Sequence, residues 1–295
     1  MSNFRISILV FSPGGNTLKA AKMAESALVD RGFDVQLVDV TAAKVIKDKG
    51  RLHDFLVNEV KPHDLLMVGG PVYENRLDKL TLAIIKSLPE PGGDKWGNLC
   101  TPFVTWGGVT SGIGLYQAAK AFRATGRKVV MAFKVEAFHP FSVEWPQRLN
   151  EGMPGDEALP LMSELAERVS EIAGADPASL SEITGGLNYA AFIPRFFGRF
   201  TSIFPTQEYT YKGVKVDLDL CKGCGTCVRR CPLDRLEIRK GKARVKDDAI
   251  RCMHCYTCLR VCPSGARSVG LESTRGFLLA LRKRYADKPG NALYT

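Results

Sequence analysis

The chain has 295 residues, 45% hydrophobic and 24% charged, with a formal net charge of +10 at pH 7. Those totals suit a globular protein of about two domains, since a domain commonly takes roughly 100–200 residues, and they exclude disordered and fibrous designs. No apolar run approaches the roughly 20 residues that span a bilayer, and the run at 6–11 is too short for the apolar part of a signal peptide, so a cytoplasmic location is expected.

Over residues 1–175, short β-branched runs alternate with helical stretches, the pattern of a parallel sheet covered on both faces. Strands are predicted at 5–11, 33–40, 64–68, 102–105 and 128–135, and helices at 18–30, 49–60, 77–88, 113–124 and 156–174. Five such units imply an α/β fold with a five-stranded, doubly wound parallel sheet, which binds ligands at the carboxyl ends of its strands.

Three loops at those ends hold candidate binding residues. The first strand runs into Ser12, Pro13, Gly14, Gly15, Asn16 and Thr17 and then a helix. Free N–H groups, the positive end of the helix dipole and the Ser, Asn and Thr side chains suit a phosphate there. The loop lacks a P-loop lysine and the G-x-G-x-x-G of a dinucleotide site, which favours a monophosphate, although the same residues also make an ordinary turn and N-cap. After the third strand come Pro71, Val72, Tyr73, Glu74, Asn75 and Arg76, and after the fourth Thr105, Trp106, Gly107 and Gly108. A flat ring can rest on Tyr73 or Trp106 there, with a core or subunit-contact role as the alternative for each.

Residues 108–114 (GVTSGIG) look like the glycine fingerprint of dehydrogenases, but that motif belongs after a first strand, so no nicotinamide site is expected. Cys100 reads as a small buried side chain rather than a nucleophile. Residues 136–155 hold three prolines and four aromatic rings counting His139, and read as an ordered loop over the carboxyl edge of the sheet. His139 is the candidate catalytic proton donor, set against a purely structural role. Residues 176–212 read as a connector, polar and then rich in Phe and Arg, whose aromatics are expected to pack between domains. Pro194, Gly198 and Pro205 argue against a long membrane-surface helix.

Eight of the nine cysteines fall in two runs with identical offsets, CKGCGTCVRRCP (221–232) and CMHCYTCLRVCP (252–263). Crowded, regularly spaced cysteines without a secretion signal favour metal binding over disulfides. In C-x2-C-x2-C-x3-C-P the first three cysteines reach three irons of one [4Fe–4S] cube, and the fourth ligates the other cube. Cluster I is therefore expected on Cys221, Cys224, Cys227 and Cys262, and cluster II on Cys252, Cys255, Cys258 and Cys231. Zinc sites are built from cysteine pairs rather than two quartets with trailing prolines, which sets zinc aside. His254 and Tyr256 read as exposed spacers between ligands, with tuning of cluster II as the alternative.

Residues 214–270 resemble the bacterial two-cluster ferredoxins, and the three loops resemble those of the flavodoxin family. Nearly the whole chain is similar to the fused flavodoxin–ferredoxin proteins of anaerobic microbes. The resemblance implies a flavodoxin-like domain at 1–175, a connector at 176–212, a small α+β two-cluster ferredoxin domain at 213–270 and a basic C-terminal tail at 271–295. It also implies two [4Fe–4S] clusters and FMN, with phosphate at Ser12, Gly14, Gly15, Asn16 and Thr17 and isoalloxazine between loops 71–76 and 105–108. Gly14 stands where the family usually has Thr, and Glu74 and Asn75 replace smaller residues.

The function expected is electron transfer between the two clusters and FMN. Alternatives are a flavin-dependent reductase acting on a small-molecule substrate, and a redox sensor or binding module. Residues 213–295 carry 18 Lys and Arg against 8 Asp and Glu, a difference of +10 that equals the excess of the whole chain. That bias points to an acidic redox partner, or simply solvates a small cluster-filled domain. The basic residues follow no nucleic-acid recognition pattern, so no nucleic acid and no membrane contact are expected, and a homodimer stays open.

Overall fold

The computed structural model describes residues 4–46, 48–183, 185–189, 196 and 213–295. Strand β1 (Arg5–Val10) is apolar at four of its six positions and buried from Ile6 onward, as befits a central parallel strand covered on both faces. Helix α1 (Asn16–Asp30) follows it and lays Ala20, Ala21, Ala24 and Leu28 on the sheet. The chain continues through β2 (Asp34–Asp39), α2 (Val40–Ala43), α3 (Lys49–Glu59), β3 (His63–Tyr73), β4 (Arg76–Leu77), α4 (Lys79–Lys86), β5 (Trp96–Trp106), α5 (Gly114–Arg123), β6 (Lys128–Val129), β7 (Ala132–Glu136) and α6 (Leu159–Gly174). Strands β2, β1, β3, β5 and β7 lie side by side in that order and run parallel. This is the flavodoxin-like 2-1-3-4-5 order, with the switch point between β1 and β3.

The strands predicted at 64–68 and 102–105 are longer, His63–Tyr73 and Trp96–Trp106, and two further elements differ in detail. The helix predicted at 77–88 starts at Lys79, because Asp78 caps it through Leu80 and Thr81 and residues 72–77 close a hairpin of β3 with β4. The fifth strand, predicted unbroken at 128–135, is two pieces, β6 and β7, both paired with β5.

The second domain has β8 (Lys215–Val216), α7 (Thr226–Arg229), β9 (Leu236–Arg239), β10 (Lys242–Val245), α8 (Thr257–Arg260) and β11 (Arg267–Ser268). Strands β8 and β11 make one antiparallel ribbon and β9 and β10 another. Each short helix carries the third cysteine of its run, so the sequence duplication is also a structural one.

The segment expected as a basic tail, 271–295, instead returns to the first domain. After α9 (Arg275–Tyr285), β12 (Ala292–Tyr294) pairs antiparallel with β7 and caps that edge of the sheet. Asp287 holds it in place: its carboxylate accepts from Lys134 Nζ at 3.1 Å, Thr110 Oγ1 at 3.1 Å and Ser111 N–H at 2.9 Å. Lys134 is almost fully enclosed, and burial pulls its pKa down while Asp287 opposes the fall. The indole N–H of Trp106 donates to Gly290 O at 3.1 Å. Its basic excess reads as a tail in sequence, yet here one buried ion pair and one edge strand anchor it.

Loop 136–155 is ordered, as expected, and it joins the domains. Phe138, Phe141, Val143, Trp145 and Leu149 pack with Tyr256, Val269, Leu271 and Leu278 in a core separate from that of the first domain. The described start of the connector packs on the first domain: Ile183 and Leu187 join its core, and Ile183 N–H donates to Val129 O. The aromatic stretch of the connector lies outside the described residues, except for Phe196. Among the described residues no helix is long and apolar enough to cross a membrane.

Candidate cofactor sites

The cysteine loops wind through left-handed backbone at matching places. Gly223 and Gly225 have φ of 66° and 73°, and His254 and Tyr256, the equivalent residues of the second run, have 57° and 53°. Glycine enters this region at no steric cost, and at Gly223 a Cβ would also stand 2.3 Å from Gly241 O. Side chains such as His and Tyr pay of order 1–3 kcal/mol there and persist only where the surroundings impose the conformation. Both are buried, Tyr256 at 1% exposure inside the interdomain core. They are therefore not the exposed spacers expected from the sequence.

Cys221, Cys224, Cys227 and Cys262 line one tight cavity, and Cys231, Cys252, Cys255 and Cys258 line another of about 430 Å³. Backbone N–H groups point at the sulfurs: Ala243 to Cys221, Arg235 to Cys231 and His254 to Cys252, each at 3.4 Å. The buried Arg267 donates to Cys227 Sγ at 3.2 Å. N–H donors from Ala243 and Gly223 pull the Cys221 thiol below its usual pKa, whereas burial pushes Cys255 up to about 11 and Cys258 to about 12. Buried thiols of that kind ionise readily only beside strong positive charge, which bound iron provides. Among the described residues no three His, Cys, Asp or Glu groups close around a single-ion position. Four soft donors per cavity, with N–H groups aimed at sulfur, form a set that fits [4Fe–4S] chemistry.

The carboxyl ends of β1, β3 and β5 open on a cavity of about 450 Å³, within the roughly 300–1,000 Å³ range of small-molecule sites. Gly14, Asn16 and Thr17 line it from the first loop, Pro71, Val72, Tyr73, Glu74 and Asn75 from the second, and Thr105, Trp106 and Gly107 from the third. Ser12, Gly15, Arg76 and Gly108 do not line it. Ser12 Oγ accepts from Leu18 N–H at 2.8 Å, and Gly15, at φ 85°, turns the chain into α1. The N–H groups of Asn16 and Thr17, in the first turn of α1, have no intrahelical acceptor and fit a phosphate. Glu74 and Asn75, both at positive φ, are the two central residues of a tight β3–β4 hairpin, which explains their departure from a simple loop. Trp106 is 2% exposed and held by Gly290, so a core role and a place in the cavity wall coincide. The donors at one end and the apolar walls at the other fit FMN.

His139 also lines the cavity, and its ring packs on Gly107, where a Cβ would come within 2.5 Å of it. It is partly exposed, toward the cavity, and burial lowers its pKa to about 4, helped by Arg282. Its Nδ1 accepts from Phe141 N–H at 3.2 Å. The ring is thus neutral at pH 7, with its proton on Nε2. Cys100 is fully buried, and burial pushes its thiol pKa far up, as its expected packing role requires. In the GVTSGIG stretch, Ser111 is bound by Asp287.

Phe138 and Phe141 line the cavity from loop 136–155, which was expected over this edge of the sheet, while sequence reasoning missed His254 from the second cysteine run and Phe277, Leu278, Leu281 and Tyr285 from α9. The spacing 277/278/281/285 is a helical stripe, a signal present in the sequence but obscured by the basic residues around it.

Residues 213–273 match the family model of the 4Fe-4S dicluster domain. No curated protein matches the chain. Similar solved structures include a flavodoxin from the domain Archaea, at 16% identity over 58% of this chain and 100% of that one, with a TM-score of 0.37. Flavodoxin 2 from Bacillus cereus, in its oxidised form, is 15% identical over 57% of this chain and 99% of its own, with a TM-score of 0.40. An NADH:FMN oxidoreductase in apo form is 16% identical over 64% of this chain and 100% of its own, at 0.38. The first domain's topology is given by its own strand order. The chain thus joins a domain of flavodoxin-like topology to a segment matching the 4Fe-4S dicluster domain, the fused flavodoxin–ferredoxin arrangement expected from its residues.

Proposed function

We propose that the chain relays electrons between two [4Fe–4S] clusters and FMN, with cluster II next to the flavin. The observation that carries this reading is the position of His254, which lines both the Cys231, Cys252, Cys255 and Cys258 cavity and the 450 Å³ cavity. In this reading Cys221, Cys224, Cys227 and Cys262 hold cluster I, and Cys252, Cys255, Cys258 and Cys231 hold cluster II. When bound, the clusters exchange single electrons and FMN exchanges one or two.

The chain's own residues do the remaining work. Asn16 and Thr17 N–H groups orient the phosphate, and Tyr73 and Trp106 flank the ring. Tyr256, Phe138 and Phe141 keep water out of the wall between the cavities. Neutral His139 offers an Nε2–H to the cavity without adding charge. The surplus of 18 Lys and Arg over 8 Asp and Glu in residues 213–295 supports an acidic redox partner.

One observation favours a second reading, a reductase acting on a small substrate at the flavin. Helix α9 adds four apolar or aromatic side chains to the cavity wall, more enclosure than a flat ring in an electron carrier requires. Turnover of a small acceptor with reduced ferredoxin as donor supports it, and its absence leaves the carrier.

Anaerobically purified protein is expected to contain about eight iron atoms and one FMN per chain. Fewer than five iron atoms, zinc in their place, or no flavin after incubation with FMN overturns the relay.

A further inference from the structure

We infer that Arg260, on the short helix between two cysteines of the second run, supplies the cation that holds the FMN phosphate, so that flavin is bound jointly by both domains. This rests on the FMN reading above. A phosphate monoester is close to doubly charged at pH 7, yet loop 12–17 contains no basic residue. Its side-chain donors are partly committed: Asn16 Nδ2 donates to Phe138 O at 3.2 Å, and Thr17 Oγ1 pairs with Thr105 Oγ1 at 2.7 Å. Position 14 has no side chain at all.

The second domain docks on this loop. Thr257 Oγ1 donates to Pro13 O at 2.5 Å, and Arg260 Nη1 donates to Gly14 O at 3.0 Å. A Cβ at position 14 would stand 3.9 Å from Arg260 Nη1. The guanidinium also lies over the Phe138 ring, 5.2 Å from its centre, which fixes its plane. A polar cleft of about 520 Å³ lies beside the flavin cavity and shares Asn16 and Phe138 with it.

Four cations line that cleft, and three are engaged elsewhere. Lys19 donates to Gly152 O at 2.8 Å, Arg148 pairs with Glu151 at 2.8 Å, and Arg267 donates to Cys227 Sγ. Among the described residues, the hydrogen bond of Arg260 goes to the loop itself. Guanidinium has five N–H donors in a fork suited to phosphate, so it can keep Gly14 O and still serve an anion. Because Cys258 of one cavity and Cys262 of the other flank it, the backbone that carries both cysteines also sets where this cation stands.

The test compares FMN with riboflavin, which has the same ring and no phosphate. Protein stripped of flavin, with its iron content measured, is titrated with each by quenching of flavin fluorescence. Arg260→Gln is expected to weaken FMN binding about tenfold, the worth of one hydrogen bond to a charged group, and to leave riboflavin binding unchanged. Arg260→Lys, which retains the charge without the fork, is expected to lose less and serves as the comparison if Arg260→Gln loses iron. An unchanged preference for FMN over riboflavin in both variants, or equal loss of both ligands, overturns the inference. Wild-type protein that binds neither ligand would instead remove the FMN reading on which it rests.

Discussion

Trp145 donates its indole N–H to the carbonyl of Leu271 over 3.0 Å, and both side chains are buried in the core between the domains. The adjacent Glu144 reinforces the contact, its carboxylate accepting from the N–H groups of Val269, Gly270 and Leu271 at 2.8 Å each. A carboxylate with three N–H donors is a strong, directional latch. Glu144→Ala is expected to cost about 2–3 kcal/mol. Hydrogen exchange should then accelerate at the amides of residues 269–271, with strands β1 and β3 left protected. Unchanged exchange there would remove Glu144 from the interface energetics.

The fourth cysteine of each run faces the other run's cavity. Cys262→Ser is therefore expected to damage the cluster on Cys221, Cys224 and Cys227, and Cys231→Ser the cluster on Cys252, Cys255 and Cys258. Iron analysis with electron paramagnetic resonance should show roughly half the iron lost, from opposite clusters in the two variants. Loss of the same cluster in both contradicts the interlocked assignment.

Arg267 is 7% exposed, lines both cysteine cavities and donates to Cys227 Sγ. A donor to a ligand sulfur stabilises the reduced, more negative cluster, so its loss lowers the reduction potential. One such bond is worth about 1.5–3 kcal/mol, and about 1.4 kcal/mol corresponds to 59 mV for a single electron. Arg267→Met is thus expected to lower the potential of cluster I by about 60–120 mV in a redox titration. A potential within error of wild type means the bond does not tune the cluster.

His63 and His139 each have a pKa lowered to about 4, mainly by burial. An unfolded histidine takes its proton near pH 6.5, so between pH 6.5 and 4 the unfolded chain binds protons that the folded chain refuses. Stability is complete above pH 6.5 and declines toward pH 4, by up to about 3 kcal/mol per histidine. His139→Gln should flatten its share of that decline, measured as urea midpoints between pH 7 and pH 5. Parallel slopes for variant and wild type would show that His139 is not held neutral.

The strand–helix alternation, the loop after β1 and both cysteine runs were legible in the residues because each depends on short-range order: alternation of side chains, a helix start, ligand spacing. The loop 136–155 was recognisable as ordered from its prolines and aromatics, but not as the seat of a second domain. Tyr256 looked like a spacer because it is packed by Phe141 and its neighbours, over a hundred residues earlier in the chain, and by Leu271 and Leu278 after it. The end of the chain read as a tail because it follows the last cysteine run and five Lys and Arg stand there against two Asp and Glu, whereas Asp287 reaches Lys134 only after the chain has folded back.

By itself the sequence determined which cysteines group by spacing, that a parallel α/β domain precedes them, and that a phosphate-sized loop opens its first helix. Only the tertiary structure decided that α9 walls the cavity at the strand ends, that His254 stands between that cavity and the cysteines, and that Arg260 rests on the loop at Gly14. The physical reason is range. Helix starts and ligand spacings are set by neighbours a few residues apart, while a shared wall between two domains is set by packing among segments that no local pattern relates.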